Sequence, residues 1–448
     1  MEITRILAAY IANSSATSIP PSVIHEAKRS LLNWVGCAAG GSQHEATRKT
    51  LRVISPLSSA SAATVVGHTQ RLDVANAALI NSMSSYVLDF DDAHNGEKIV
   101  LHPSGPAVAA ALAMGEYLRS PGSEVLLALL LGMEIECRVG NAVFESDSVG
   151  WFPTSTVGSL GAAVAAGRLL RLNEQQLTWA IGIAASQAAG MRATHGTMTK
   201  SFSPGRAASN GVLAALLAAE DVTSAGNVLE APGTGFADLM GSSQRLSTAV
   251  AELGTTFQIL RNTYKPFACA IGLHAAIDCC MRLRTMHAIP VEAIERLELR
   301  VFPRTAKSAA NTEPATGLQA KVSLAHAAAV ALTRGSGGEN EFSDRAACDP
   351  VVAGLRRRVS AIGDPQVGNH EAYATLTLAD GRQFEQHVAS AVGSIDCPMT
   401  DRELEAKASM LACGVLDDSR VRKMIDNCWA LDSLDTIAPL HDALIPSP

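Results

Sequence analysis

The chain has little charge and few aromatic side chains. Of its 448 residues, 18% are charged and 4% are aromatic, whereas 47% are hydrophobic. Its net charge of −7 provides no basic surface for a nucleic acid or an acidic membrane, so we expect neither as a partner. An all-β sandwich would need more aromatic and β-branched residues, while abundant alanine favours closely packed helices. The length allows two or three domains.

Cysteine motifs and membrane-length apolar runs are also missing. The nine cysteines include no CxxC pair, which predicts reduced, mostly buried thiols and argues against an iron–sulfur cluster. The most apolar run, residues 125–133, is too short to cross a bilayer. The N-terminus lacks a secretory pattern. We therefore expect a cytoplasmic protein, and a mitochondrial location is left open.

Helical periodicity dominates roughly the first 260 residues. Apolar side chains recur at helical spacing after Pro20 and Pro21. Several later segments carry alanine and glycine on all faces, which is typical of buried central helices. We predict helices at about residues 21–40, 73–89, 105–118, 124–143, 156–170, 174–189 and 207–219.

The pattern changes after about residue 255. Residues 293–302 alternate apolar and charged side chains, as a half-buried strand does. Residues 371–378 and 384–388 flank an Asp380-Gly381 turn, which predicts a β-hairpin. Further helices are expected at about residues 320–333, 350–357 and 419–434, and residues 401–407 are expected to open a capped helix.

These patterns predict a mostly α fold with an inserted α+β domain. Both ends of the chain, residues 1–256 and 399–448, would form one large all-helical domain. Residues 257–398 would form a smaller α+β lid domain.

Three acids and two histidines lie close together in the sequence. Asp89, Asp91, Asp92 and His94 are followed by His102, directly before a predicted helix. If the segment is helical, Asp89 and Asp92 share a face. Paired acids and imidazoles suit proton transfer, but they also suit a metal site, and acids can simply cap a helix end. The segment alone does not decide between these interpretations.

A second polar group follows Gly190. His195, Thr197, Lys200 and Ser203 lie in a segment that we predict to be a loop between two buried helices. A buried lysine needs a counter-charge, which a substrate carboxylate would supply. The alternative is that Lys200 is an ordinary surface lysine and His195 a neutral loop histidine.

A third group lies where the helical pattern gives way to the α+β segment. Tyr264 and Lys265 are followed by His274, and domain junctions are favoured places for ligand sites. Lys265 would provide a second cation, and His274 an acid or an orienting group. An ordinary interdomain linker is the alternative.

At these three groups the sequence resembles the MmgE/PrpD family, and the resemblance extends over nearly the whole chain. The matching pieces are Leu88-Asp-Phe-Asp-Asp with His102-Pro-Ser, Gly196-Thr-Met-Thr-Lys200, and Tyr264-Lys-Pro-Phe-Ala-Cys269 with His274. The resemblance implies a large helical domain with a smaller α+β lid, usually as a homodimer, and no metal or organic cofactor. It also implies active-site positions for Asp89, His102, Lys200 and Lys265. Asp92, His94, Phe152, His195, Thr197, Ser203, Tyr264 and His274 are our further candidates for substrate contact.

The chain departs from that family at three positions. Relatives commonly have histidine where this chain has Phe152, and many have histidine in place of Ser203. A further histidine of the cis-aconitate decarboxylases is replaced by Ala270. Phenylalanine can neither transfer a proton nor bind a carboxylate, so the substrate is expected to be less anionic or the chemistry to differ.

The resemblance implies chemistry beside a carboxylate. Removing a proton there creates a dianion, which Lys200 and Lys265 would stabilise, with His102 as base and Asp89 or Asp92 orienting it. We expect a metal-independent, dehydratase-like lyase that acts on a small carboxylate. Decarboxylation of the cis-aconitate type and epimerisation at the same site are the alternatives.

Two other classes of protein remain open. Asp91-Asp92 in a helical setting is similar to the magnesium motif of terpenoid synthases, although a second metal motif is missing and aromatic residues are few. The missing family histidines also allow a catalytically inactive protein that binds small carboxylates.

Overall fold

The computed structural model describes residues 1–95, 99–145 and 150–447 of the chain. Helices predominate, as the composition predicts. Before residue 260 the α-helices are α1 Ile3–Asn13, α2 Pro21–Ser42, α3 Glu45–Ile54, α4 Val74–Val87, α5 Ser104–Tyr117, α6 Gly122–Val143, α7 Pro153–Leu169, α8 Glu174–Ala185, α9 Thr199–Ala219 and α10 Phe236–Met240. After it they are α11 His274–His287, α12 Pro303–Ser308, α13 Gly317–Ala320, α14 Leu324–Arg334, α15 Asp344–Ala347, α16 Pro350–Arg356, α17 Asp401–Ala412, α18 Asp418–Trp429 and α19 Ala438–Ala443.

The described residues also form three small sheets. Their strands are β1 Ala63–Thr64, β2 Arg71–Leu72, β3 Asp92–Asn95, β4 Val100–Leu101, β5 Asn262–Tyr264, β6 Ile294–Val301, β7 Val359–Gly363, β8 Ala372–Leu378 and β9 Gln383–Val388. The prediction that the first part of the chain is all-helical is therefore wrong in detail, because β1 to β4 lie within it. These strands have two to four residues, too few to show the alternation that marks a strand in a sequence.

The centre of the molecule is a bundle of helices with small side chains. Helices α5 and α7 are buried around nearly their whole circumference, which confirms the prediction from their alanine and glycine content. Helix α7 packs against α5, α6 and α9. Of the helices in the described part of the chain, none has the length and hydropathy needed to span a bilayer.

A second core covers the inner face of the larger sheet. The strand order is β7-β6-β8-β9, with β6 and β7 parallel and the other neighbours antiparallel. The β8–β9 hairpin and strand β6 were predicted, but the exposed strand β7 was missed because its residues show no apolar alternation. Helices α11, α12 and α14 pack against strands of this sheet, and α16 packs against α14.

The end of the chain returns to the helical part. Helix α17 packs along α2 so closely that a Cβ on Gly36 would lie 2.7 Å from the Cα of Ala408. Both ends of the chain form helices, as predicted. The proposed boundaries at residues 257 and 398, and the lid role of the segment between them, stay predictions.

Substitution of Gly211 tests the close packing of α9 against α7. A Cβ at this position would lie 2.4 Å from the Cβ of Ala162 and 2.6 Å from the backbone nitrogen of Ala163. We expect Gly211→Ala to lower the free energy of unfolding by about 1–3 kcal/mol through overpacking, although alanine favours helix. The measurement is urea unfolding. Gly354→Ala in α16 is the control, because nothing lies within 4 Å of its Cβ; equal stabilities of the two variants would contradict the packing.

Candidate active site

A three-stranded ladder joins two of the predicted groups. Strand β3 lies between β4 and β5, and in the antiparallel registers Asp92 is opposite Tyr264 and His94 is opposite Leu101. Lys265 directly follows β5, and His102 directly follows β4. Segments 170 residues apart therefore meet, and the acids, His102 and Lys265 lie at one end of the ladder.

A cavity of about 450 Å³ opens at this end of the ladder. Residues of both the helical part and the α+β segment line it. Its polar and charged lining residues are Tyr86, Asp89, His102, Arg192, His195, Lys200, Lys265, Arg304, Thr305, Ser308, Asn369 and His370. The apolar lining comprises Val100, Phe152, Pro153, Ala270, Ile271, Gly272, Leu273, Ala309 and Val322. All four residues that we predicted to be catalytic contribute to this lining.

The acid segment is a loop rather than the predicted end of a helix. Helix α4 ends at Val87, and Asp89 adopts the left-handed conformation with φ 53°, which is uncommon for a residue other than glycine. Leu88 and Phe90 pack into the second core, whereas the side chains of Asp89 and Asp91 meet lysine. The prediction that Asp89 and Asp92 share a helical face is therefore wrong.

Two lysines hold the Asp89 carboxylate. Lys200 forms a short ion pair with its Oδ2, and the Nζ of Lys265 donates to its Oδ1 at 2.7 Å. Lys265 also donates to Oδ1 of Asp91 at 2.7 Å. Lys200 lies in the first turn of α9 and not in the loop that we predicted. Its Nζ is also 5.3 Å from the centre of the Tyr86 ring.

Mutual charge keeps these buried groups ionised. Burial raises the pKa of Asp89, but the charges of Lys200 and Lys265 outweigh this effect and hold the pKa well below its ordinary value. The pKa of Asp91 is lowered too, because Lys265 and His102 outweigh the effect of burial. Burial opposes the charge of Lys265, yet the two carboxylates raise its pKa. The cluster thus holds fixed charges in a water-poor place, where electrostatic interactions are strong.

His102 is oriented by the same loop. Its Nδ1 lies 2.6 Å from the backbone oxygen of Asp92 and 3.1 Å from Oδ2 of Asp91. Both acceptors favour a proton on Nδ1, which leaves Nε2 as the ring nitrogen for a ligand in the cavity. We predicted Asp89 or Asp92 as the orienting carboxylate; the structure brings Asp91 to the ring instead.

The Asp92 carboxylate stabilises the beginning of α5. It accepts hydrogen bonds from Oγ of Ser104 at 2.6 Å and from Nδ2 of Asn262 at 2.8 Å. Burial and the neighbouring charge of Asp91 raise its pKa. Asp92 is fully buried and lies outside the cavity lining, and its predicted contact with substrate stays a prediction.

An aromatic wall faces the charged groups. Phe152 is 5.1 Å from the His195 ring and 5.9 Å from the Tyr86 ring, measured between ring centres. The backbone nitrogen of Phe152 donates to the oxygen of Gly190 at 3.0 Å, which fixes the wall. Gly190 is required there, because its φ is 125° and a Cβ would lie 2.7 Å from Oγ of Ser155. Burial and then the charge of Lys200 lower the pKa of His195.

Five other candidates lie outside the cavity lining. The Oγ1 of Thr197 donates to the Thr194 oxygen at 2.7 Å, and the Oγ of Ser203 donates to the Thr199 oxygen at 3.1 Å. Both hydroxyls bond to the local backbone, and their contact with substrate stays a prediction. Of the three positions where family histidines are missing, Phe152 and Ala270 line the cavity and Ser203 does not.

The remaining three candidates support the surrounding structure. The Tyr264 hydroxyl contacts the Glu26 carboxylate at 2.5 Å, on the side of α2. The Nε2 of His274 lies 3.3 Å from the Cys269 oxygen, and burial lowers its pKa to about 3. His94 is fully buried, and burial lowers its pKa to about 4. These rings are neutral near pH 7, so they pack and orient rather than carry charge.

Sequence reasoning missed several polar residues of the cavity. Arg192 lies beside the Phe152 wall, and Arg304, Asn369 and His370 come from the α+β segment. The NH2 of Arg304 donates to Oδ1 of Asn369 at 3.1 Å. Arg192 stands within the glycine-rich segment that we singled out, so its charge was a usable signal. Arg304 comes shortly after one predicted strand, and Asn369 and His370 come directly before another, so the sequence pattern does not mark them as site residues.

No group of three or more His, Cys, Asp or Glu side chains in residues 1–95, 99–145 and 150–447 is arranged to hold a metal ion. Asp91 and Asp92, the residues of the possible magnesium motif, face Lys265 and Ser104 respectively.

Comparison with known proteins identifies relatives over the whole chain. A family model described as the MmgE/PrpD N-terminal domain matches residues 5–249, and one described as the MmgE/PrpD C-terminal domain matches residues 267–431. A cis-aconitate decarboxylase of Aspergillus terreus is 27% identical, over 99% of this chain and 96% of its own length. Cis-aconitate decarboxylases of Homo sapiens and Mus musculus are 26% and 25% identical, over 95% and 92% of their lengths.

Replacement of Asp89 tests the lysine-bridged carboxylate. Asp89→Asn leaves buried lysine charge less compensated, so we expect a loss of about 3 kcal/mol in the free energy of unfolding at pH 7. Because its pKa is lowered in the folded state, Asp89 stabilises the fold above the unfolded-state pKa of about 4 and loses this effect as the pH falls. The difference in the free energy of unfolding between Asp89→Asn and the original chain should therefore become smaller below about pH 4. Urea unfolding at several pH values measures this difference.

Asp426→Asn provides the control for this series. Asp426 is exposed on α18, so its variant should track the original chain at every pH. A deficit of Asp89→Asn that does not change with pH would show that the carboxylate is not an ionised partner of the lysines.

Proposed function

Because the chain belongs to the MmgE/PrpD family, we propose that it is a carboxy-lyase that removes carbon dioxide from a small polycarboxylate of the cis-aconitate type. The observation that carries the proposal is the cavity, whose lining combines lysines and arginines with the aromatic rings of Phe152 and Tyr86. The names of the relatives supply the reaction class and the first substrate to test. We propose that the reaction needs no metal, because lysines supply the positive charge.

The cations of the cavity suit a substrate with more than one carboxylate. Lys200 and Lys265 are balanced in part by Asp89 and Asp91. Arg192 and Arg304 add two further positive charges to the lining. Guanidinium groups bind carboxylates with two parallel hydrogen bonds, so we assign substrate carboxylates to these arginines and to the lysines.

The apolar wall favours loss of carbon dioxide. A carboxylate that faces Phe152 and Tyr86 loses hydration, which destabilises its charge relative to neutral carbon dioxide. When the C–C bond breaks, its electron pair stays on the carbon of the substrate and spreads onto a remaining carboxylate. Lys200 and Lys265 stabilise that developing charge.

His102 completes the reaction by transferring a proton. In its imidazolium form His102 donates the Nε2 proton to the carbon that carries the electron pair, keeps the Nδ1 proton, and then takes up a proton from solvent at Nε2. Asp91 stabilises the imidazolium form from the Nδ1 side, where its Oδ2 lies 3.1 Å away. We place dehydration second, because it requires an acid for the leaving hydroxide besides the base, and His195 has a lowered pKa.

Substitution of His102 tests the proton transfer. We expect His102→Gln to lower kcat for carbon dioxide release from cis-aconitate by about 10²–10⁴-fold, the usual contribution of general acid catalysis. In heavy water the original enzyme should place one deuterium on a product carbon, measured by NMR.

His387→Gln is the matched control, since His387 is exposed on β9 and pairs with Glu371. Turnover by His102→Gln close to that of the control would remove His102 from catalysis. An original chain that releases no carbon dioxide but exchanges or eliminates groups on tricarboxylates would replace the decarboxylase by a dehydratase or an epimerase. Binding without any solvent-proton exchange would indicate an inactive binding protein.

Substitution of Phe152 tests the specificity of the wall. Phe152→His places a hydrogen-bond donor in the cavity, and a bond to a charged group contributes about 1.5–3 kcal/mol. We expect KM for a tricarboxylate to fall about tenfold, measured by steady-state kinetics. Phe152→Leu, which keeps the wall apolar, should show no such fall. No difference between the two variants would place specificity elsewhere in the cavity.

A further inference from the structure

Two buried lysines hold the backbone on either side of Asp89. The Nζ of Lys321 donates to the Leu88 oxygen at 2.7 Å. The Nζ of Lys407 donates to the Phe90 oxygen at 2.6 Å. The residue between these two carbonyls is the one in the left-handed conformation, φ 53°. The strained backbone of the acid loop is therefore fixed from both sides by cations.

The two lysines differ in their counter-charge. Lys321 forms an ion pair with Glu339, with 2.6 Å between Nζ and Oε2. Lys407 donates instead to a neutral amide, Oδ1 of Asn33, at 2.7 Å. No carboxylate of the described residues lies within ion-pair distance of Lys407, whose exposure is 6%. A buried ammonium without a paired carboxylate is costly, and methionine would fill the same volume at lower cost.

The polar and charged groups around Lys407 come from helix α2 and from the acid loop. Helix α2 contributes Asn33 and the Cys37 thiol, and Sγ of Cys37 also donates to the Phe90 oxygen, at 3.2 Å. The acid loop contributes Asp91 and Asp92, and Lys265 lies beyond them. The Phe90 ring is 4.5 Å from Nζ. Burial, more than Lys265, lowers the pKa of Lys407 to about 8 against the opposing effect of Cys37 and Asp91.

We infer that Lys407 is a positioning residue of the active site, which in its protonated form fixes the Phe90 carbonyl and thereby sets Asp89 and Asp91 against Lys200, Lys265 and His102. Loss of its proton removes the charge that supports Phe90 and weakens the hold on both neighbouring carboxylates. The active site thus depends on a group on α17 that lies behind the acid loop and outside the cavity lining. The kinetic part of this inference rests on the proposed lyase activity.

The pH dependence of kcat with cis-aconitate provides the first test. We expect kcat of the original enzyme to fall above about pH 8, with KM little changed. Asn33→Asp gives Lys407 a carboxylate at the position of the present acceptor, so the fall should move up by at least about one pH unit. Lys407→Met should have a kcat lowered about tenfold or more at neutral pH and no fall near pH 8, and Lys407→Arg should recover most of the activity. A purely structural lysine would change stability and leave the position of the fall unmoved.

Lys28→Met is the matched control. Lys28 is also a largely buried lysine of the α2 region, but it pairs with Asp432 at 2.7 Å and does not touch the acid loop. Its variant should keep the pH dependence of the original enzyme. The inference is overturned if the fall in kcat stays at the same pH in Asn33→Asp and Lys407→Met.

A test without substrate separates this inference from the proposed activity. In urea unfolding at pH 7, Lys407→Met and Asp89→Asn are combined in a double-mutant cycle. If Lys407 positions the acid loop, the equilibrium constant for unfolding of the double variant should differ about fivefold or more from the value expected when the two single effects are independent. For Lys28→Met combined with Asp89→Asn, the same comparison should agree to within about twofold. Additive effects overturn the inference, whether or not carbon dioxide is released.

The two proposals therefore fail in different ways. Coupling in a protein that releases no carbon dioxide from cis-aconitate keeps Lys407 as a positioning residue and overturns the proposed function. If Lys407→Met does not fold, Asn33→Asp replaces it in the cycle, because it changes the counter-charge of Lys407, keeps Oδ1, and replaces only Nδ2, which has no hydrogen-bond partner among the described residues.

Discussion

One carboxylate shared by two lysines determines the arrangement of the site. Asp89 holds Lys200, at the beginning of a central helix, and Lys265, at the end of a short ladder. Three charges in a water-poor environment are stable only when each has a partner at hydrogen-bond distance. Asp91 contributes to this balance, because it pairs with Lys265 as well. The left-handed backbone at Asp89 lies between the two residues whose side chains enter the second core.

The helical bundle makes these contacts possible because its side chains are small. Helices that carry alanine and glycine approach until backbones nearly touch, as α9 does on α7 at Gly211 and α17 does on α2 at Gly36. Helices packed this closely cannot slide past one another, so the positions of their ends are fixed. The beginnings of α5 and α9 then place His102 and Lys200 without any flexible linker. Precision at the site is thus a result of packing elsewhere.

Helical periodicity predicted the mostly α class, because it is a local signal, and an Asp-Gly turn between two alternating segments predicted the β8–β9 hairpin. The acids and histidines near residue 90 stood out in a chain with little charge, but only the resemblance to the family joined Asp89 and His102 to Lys200 and Lys265. It could not predict the role of Asp91, since a loop and a helix give its side chain opposite directions. It missed Arg304 and His370, whose place at the cavity depends on long-range packing. Lys407 gave a signal that was overlooked: it lies on the buried face of α17 with Leu404, Ala408 and Leu411.

The bond from Lys407 to Phe90 spans 317 residues of sequence. Ribosomes make a chain from its N-terminus, so the acid loop exists long before the helix that fixes it. During that interval Asp89 and Asp91 can pair with lysine, but Lys407 has not yet been made. The Phe90 carbonyl therefore has no ammonium group to bind. The site can therefore be completed only late in synthesis of the chain, after α17 has been made. An incomplete polypeptide released early would contain the entire cavity lining and still lack its support.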